Sequence, residues 1–252
     1  MDNDDDEVGR LLTRREALAA LGLSGAAMLA GGAAWGGVRP AQVGGAGFPS
    51  GSIPQCVVRP EQTEGPFFVD RMLERADIRA DPGTSRVSEG ARLDLAFTVS
   101  RVGSGGCTPL PGAQVDVWQC DARGVYSAVR DRAGNAEGES FLRGHQVTDA
   151  AGRAAFTTIY PGWYQGRAVH VHFKIRTEPA ATRGYEFVSQ LYFDDGLTDR
   201  VHAQSPYAGR GTRDRRNSDD GIFRRGGEQL VLAVREGTGG GYEAGFEIGL
   251  QI

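Results

Sequence analysis

Residues Tyr160–Ile175 read YPGWYQGRAVHVHFKI. A Pro-Gly turn at Pro161-Gly162 leads into Val169-His170-Val171-His172-Phe173, a β-branched and aromatic run of the kind that forms strands. In a strand, successive side chains point to opposite faces. Val169, Val171 and Phe173 then share one face, and His170 and His172 share the other. The turn followed by an alternating strand is the first sign of a β-rich chain.

The same pattern repeats outward from this stretch. Upstream, Leu93, Leu95 and Phe97 alternate within Arg92–Val99, and Val99 continues the series. Gln114–Cys120 sets Val115, Val117 and Gln119 against Asp116, Trp118 and Cys120, and Ala154–Ile159 is a further strand. Downstream, Phe187–Phe193 reads as a strand, followed by two closing strands near Gln229–Val234 and Tyr242–Ile248. Turns fall at Gly105–Cys107, Pro109–Gly112 and Asp149–Gly152, and polar loops at residues 128–140 and about 194–220. No amphipathic helix longer than about two turns stands out after residue 45. Short strands separated by turns predict an all-β fold, a β-sandwich of mostly antiparallel strands with long loops that carry the site.

Bulk composition agrees. The chain has 252 residues, 40% hydrophobic and 24% charged, with 38 glycines, which suits one or two turn-rich globular domains. A net charge of -4 and the lack of a basic stripe interleaved with aromatics exclude nucleic acid as an expected partner. The three cysteines, Cys56, Cys107 and Cys120, are too few and too spread for a zinc site of the Cys-x-x-Cys type. Their pairing is not assigned from spacing.

Residues 1–40 are set apart as a targeting segment. Thr13-Arg14-Arg15 precedes an uncharged, Ala- and Gly-rich run from Ala17 to Val38. That pattern resembles a twin-arginine export signal. Its length would also suit a membrane anchor, but Gly22, Gly25, Gly31 and Gly32 lower helix propensity and apolarity. The expectation is transient membrane contact through this leader and a periplasmic or extracellular location, with anchoring if the leader is kept. Residues 41–55, rich in Gly and Pro, read as a flexible linker, and residues 56–252 as the catalytic β-sandwich domain.

The chemistry starts from His170 and His172, which share a strand face and can reach one metal ion. Tyr160, Tyr164 and Tyr126 are candidate oxygen ligands. No Asp or Glu stands at close, motif-like spacing, and Asp194 and Asp195 could supply one only at a distance. A phenol with a free pKa of ~10 must lose its proton to coordinate, so the metal has to be strongly acidic. Ferric iron meets that demand better than zinc or ferrous iron. Arg167, three residues before His170, is by spacing either a surface cation or a fixed charge that stabilises an anion in the site. Gln190 is either edge-exposed or a hydrogen-bonder in the pocket. Trp118 and Trp163 read as core or pocket wall.

Several motifs in order resemble the intradiol ring-cleavage dioxygenase family. They are Cys56 with Pro60–Pro66, Gly112–Trp118, Gly124–Ser127, Phe141–Gly144, Thr148–Tyr164, Gly166-Arg167, His170-Val171-His172 and Gln190–Phe193. The pattern is most similar to the protocatechuate 3,4-dioxygenase β-subunit, in a smaller, exported form. This resemblance implies Fe(3+) held by Tyr126, Tyr164, His170 and His172, with Tyr164, and not Tyr160, as the labile axial ligand. It implies Arg167 as charge stabiliser and Gln190 as pocket glutamine. The implied reaction cleaves a catechol-type ring between its hydroxyl-bearing carbons with O2, giving a muconate-type diacid, and the iron serves as template and Lewis acid. Only five residues separate Tyr164 from His170, fewer than in better-known members, so the particular catechol does not carry over. The implied partners are a catechol-type substrate and O2, with a homo-oligomer left open.

Two other readings fit the residues. One is a zinc hydrolytic enzyme, with His170, His172 and a third ligand such as His145 or His202 activating water. The other is a non-catalytic β-sandwich that binds small molecules.

Overall fold

The computed structural model describes residues 57–178 and 184–252. The expected export segment, the linker and Cys56 lie outside the described residues. Nine strands and one short α-helix are found among them: β1 (Arg92–Gly103), β2 (Gly106–Pro109), β3 (Gln114–Trp118), β4 (Arg143–Val147), β5 (Arg153–Ile159), β6 (His170–Arg176), β7 (Glu186–Tyr192), α1 (Asp195–His202), β8 (Val234–Glu236) and β9 (Tyr242–Leu250). They form two sheets, as the alternation predicts. One has the order β2-β1-β9-β8 with β5 also on β1, and the other runs β4-β3-β6-β7.

β1 is long enough to take two antiparallel partners in tandem, β5 along Arg92–Thr98 and β2 along Ser100–Gly103. Its other edge pairs in parallel with β9. The remaining pairings are antiparallel. Leu93, Leu95, Phe97 and Val99 are at most 1% exposed and face the other sheet. Phe173 of β6 meets Phe97 at 5.4 Å and Phe246 of β9 at 5.3 Å between ring centroids, so the layers close on an aromatic contact. Val171, Phe173 and Ile175 therefore point into the core, and the period of two turns His170 and His172 to the outer face.

That outer face is not left to water. On β3 every residue from Gln114 to Trp118 is buried, because chain segments cover the side away from the core. The segment from residue 57 runs over it. It starts tied to β7 and β9, through Gln62 N–H to Val188 O and Gly249 N–H to Val57 O, both at 2.9 Å. It then lays Phe68 on Trp118 at 4.8 Å, while Phe67 O accepts from Arg143 at 3.3 Å. Opposite His172 in register stand Trp118 on β3 and Gln190 on β7, with Arg143 of β4 beyond Trp118.

Several expected boundaries move. The segment read as turns around Gly106–Pro109 is a strand, because the long β1 offers it an edge. Arg143–Val147, given no strand from its sequence, pairs with β3. The expected strand at Gln229–Val234 begins inside a 3-10 turn, Gly227–Leu230, entered through Gly226 at φ +97°; Val231 then makes a single bridge to Tyr192, and Val234–Glu236 pairs with β9. The polar loop at 194–220 contains α1. Asp194 caps it by accepting from Leu197 N–H at 2.8 Å, and Arg200 and His202 suit its C-terminal end. Only Thr198 and Val201 of this helix are buried, too few for a legible helical period. Cys120 is free and buried while Cys107 is disulfide-bonded, so the two do not pair with each other.

Candidate metal centre

His170 and His172 project from the outer face of β6 and are at most 2% exposed. Their Nε2 atoms face each other at 3.0 Å. His170 Nδ1 lies 2.7 Å from Ala168 O, a carbonyl that only accepts, so Nδ1 carries the proton and Nε2 keeps its lone pair. Burial, with the Arg167 charge added, holds His170 down to about 3. Burial, His170 and Arg167 also hold His172 well below its ordinary value. Both imidazoles are neutral at physiological pH, the state in which they can bind a metal.

Two tyrosines complete the cluster. Tyr164 sits on the loop after the Pro-Gly turn, with its hydroxyl 3.4 Å from His170 Nε2 and its ring 5.6 Å from that of Tyr126. Tyr126 is 1% exposed, lies edge-on to His172 and stacks on Phe67 at 4.4 Å. Its hydroxyl is buried without a hydrogen-bond partner. Burial, then the neighbouring Tyr164, pushes its pKa well above the ordinary phenol value. An orphaned buried hydroxyl costs about 1–3 kcal/mol, and a cation at this point would relieve it. Among the described residues no group of three or more His, Cys, Asp or Glu side chains could hold a metal. A metal at the histidine pair would therefore draw its other protein donors from phenols. Two neutral nitrogens and two ionisable oxygens suit a strongly acidic trivalent ion such as ferric iron.

Arg167 is 7% exposed and is not a surface cation. Its Nε donates to Asp220 at 2.9 Å, Nη2 to Gln190 Oε1 at 2.6 Å and Nη1 to Tyr164 Oη at 3.4 Å. Burial alone would lower its pKa, but Tyr164 and Asp220 outweigh it, so it stays charged. Gln190 is fully buried, and its amide donates to Thr63 O at 3.1 Å. The edge-exposed reading of Gln190 is thus excluded.

Tyr160 is elsewhere. Its hydroxyl pairs with Thr198 Oγ1 at 2.7 Å, and its ring packs on Phe193 at 4.4 Å. His202 donates to Pro161 O at 3.0 Å and stacks on Tyr207. His145 stands on β4 opposite Asp116, so neither histidine joins the cluster. Sequence reasoning did not single out Asp220, the last residue of the polar loop read at about 194–220, or the stacking of Phe67 on Tyr126. Neither carries a local signal.

The family model described as dioxygenase matches residues 63–215. Chlorocatechol 1,2-dioxygenase of Pseudomonas sp. (strain P51) is 31% identical over 151 residues, covering 53% of this chain and 55% of that protein. Catechol 1,2-dioxygenase of Candida albicans (strain SC5314 / ATCC MYA-2876) is 44% identical over 149 residues, covering 51% and 45%. The chain thus spans about half the length of these curated relatives. The solved intradiol ring-cleavage dioxygenase from Tetranychus urticae superposes with a TM-score of 0.67 at 27% identity, covering 78% of this chain and 95% of that one. With the matched model extending over more than half of its length, the chain belongs to the intradiol ring-cleavage dioxygenase family.

Proposed function

We propose that this protein is a ferric intradiol dioxygenase that cleaves a catechol-type ring between its two hydroxyl-bearing carbons with O2, giving a muconate-type diacid. The observation that carries the reading is the convergence of Tyr126, Tyr164, His170 and His172 at one buried point, with the Tyr126 hydroxyl unpartnered. These four would hold the ion. Ferric iron, when bound, supplies Lewis acidity and a template for the two oxygens of the substrate.

The chain's own groups divide the remaining work. Ala168 O fixes the His170 tautomer, and burial keeps both imidazoles neutral. Tyr164 is half-buried and on a loop, whereas Tyr126 is enclosed, so of the two tyrosines that would hold the ion Tyr164 is the one with room to move. The Tyr164 hydroxyl, with Arg167 Nη1 beside it at 3.4 Å, would be the group placed to accept a proton from a substrate hydroxyl. Arg167, held by Asp220 and Gln190, is a fixed cation for negative charge that develops on the substrate. The covering segment at Thr63–Phe68 keeps bulk water off the histidine face.

The deciding experiment is a visible spectrum of iron-loaded protein, titrated anaerobically with several catechols. A red-brown tyrosinate-to-iron band that shifts on catechol addition is expected. A folded protein that stays colourless with ample iron would sink the reading. We also propose export of the folded chain by the twin-arginine route, placing it in the periplasm or outside the cell. Arg14-Arg15 before an uncharged run supports this, and so does the disulfide at Cys107, a bond typical of oxidising compartments.

A further inference from the structure

The two histidines of the site are held in different ways. A histidine's outer torsion is soft and roughly two-fold, so a metal-binding ring needs something to set its plane. The usual device is a hydrogen bond from the ring nitrogen that does not bind the metal. His170 has it, through Nδ1 to Ala168 O at 2.7 Å. His172 does not, since its Nδ1 is buried without a hydrogen-bond partner.

His172 is gripped by packing instead. Trp118 lies directly across the β3–β6 ladder from it. The two rings are parallel, 5° apart in plane with centroids 4.9 Å apart. Trp118 is 1% exposed, and its own Nε1 has no hydrogen-bond partner, so the indole is also held by packing, with Phe68 at 4.8 Å. At the Cε1 edge of the imidazole stands Gly65, at φ +71°, where a Cβ would come within 3.3 Å of Cε1. The ring is therefore bounded on one face by a flat indole and at one edge by backbone. Its Nε2 is left pointing at His170 Nε2.

We propose that Trp118 is a positioning residue that fixes the plane of His172 for metal binding, in place of the hydrogen bond that His172 lacks. This rests on the ferric-site reading above. It gives the two histidines unequal support: His170, whose ladder partner Tyr192 lies tilted at 6.1 Å, is set by its hydrogen bond to Ala168 O, whereas His172 depends on the parallel stack of Trp118.

The test compares Trp118→Phe, which keeps a flat ring, with Trp118→Leu, which keeps apolar bulk without one. Ferric ion supplied from a citrate buffer is the probe. Far-UV circular dichroism and thermal melting of the metal-free proteins check the fold. Trp118→Leu should bind ferric ion about 10- to 100-fold more weakly and shift the visible band, while Trp118→Phe stays close to wild type. Trp118→Met carries the same expectation as Trp118→Leu and replaces it if the leucine variant does not fold. A folded Leu or Met variant that matches wild type in affinity and band overturns the inference. So does an equal loss in the Phe and Leu variants, which would mean that bulk and not planarity matters. A wild-type protein that binds no ferric ion overturns the functional reading itself, so the two failures are distinguishable.

Discussion

Asp220 Oδ2 accepts from Arg167 Nε at 2.9 Å and, on the same oxygen, from the backbone N–H of Ala168 at 2.7 Å. One carboxylate thus holds the site's cation and the backbone just before His170. Its other oxygen takes the N–H groups of Ile222 and Phe223, which ties the loop back on itself.

Asp220→Asn removes the one carboxylate bonded to Arg167 among the described residues; the Arg167 side chain is 8% exposed against 1% for Asp220. Breaking a buried pair by neutralising one partner costs about 3–5 kcal/mol. Denaturant unfolding should show a loss of that order, and turnover should fall in protein that still binds iron.

The same pair sets an acid limit. Burial alone would raise the Asp220 carboxyl, but Arg167 and the N–H groups of Ala168 and Phe223 outweigh it and hold it below the ordinary value. A depressed folded pKa contributes stability above the unfolded value of ~3.9, and that stability is lost as pH falls through the folded value. Stability measured from pH 7 down through about pH 4 and below should therefore fall more steeply in wild type than in Asp220→Asn. Equal slopes would remove Asp220 from the account.

Tyr126→Phe deletes a hydroxyl that has no partner in the metal-free fold. The metal-free variant should be as stable as wild type or more so, by up to about 1–3 kcal/mol, yet lose iron and the visible band. Thermal melts alongside metal analysis separate the two effects. A variant that is destabilised would mean that the hydroxyl has a structural bond.

Gly124 adopts φ +79°, and a Cβ there would overlap the Trp163 carbonyl oxygen, one residue before Tyr164. Gly124→Ala is expected to cost at least about 1–2 kcal/mol from the left-handed backbone alone. It should also displace the Tyr164 loop, read as a weaker or shifted visible band. Gly138, where a Cβ meets nothing, is the control position.

His145→Asn and His202→Asn should leave iron content and the visible band unchanged, because both residues stand apart from the cluster. His202→Asn is expected to lower the melting temperature, since the ring stacks on Tyr207. Loss of metal in either variant would revive a three-histidine zinc site.

Much of this molecule was legible in one dimension. Alternation in Arg92–Val99 and Val169–Phe173 is a property of neighbouring residues, so β1 and β6 and the common face of His170 and His172 follow from the chain itself. The donor chemistry follows from residue type, and the order of motifs carried the family resemblance. What spacing left open was decided by contacts between distant segments. Arg167 was undetermined until Asp220, 53 residues on, took its Nε. Gln190 was undetermined until Thr63 took its amide. The exclusion of Tyr160 rests on Thr198 accepting it into a different cluster. Trp118 became a neighbour of His172 only through the register of β3 on β6. Local sequence constrains the direction of a side chain within its own strand. The partner at the far end comes from sheet pairing and loop return, which are set by packing of the whole core.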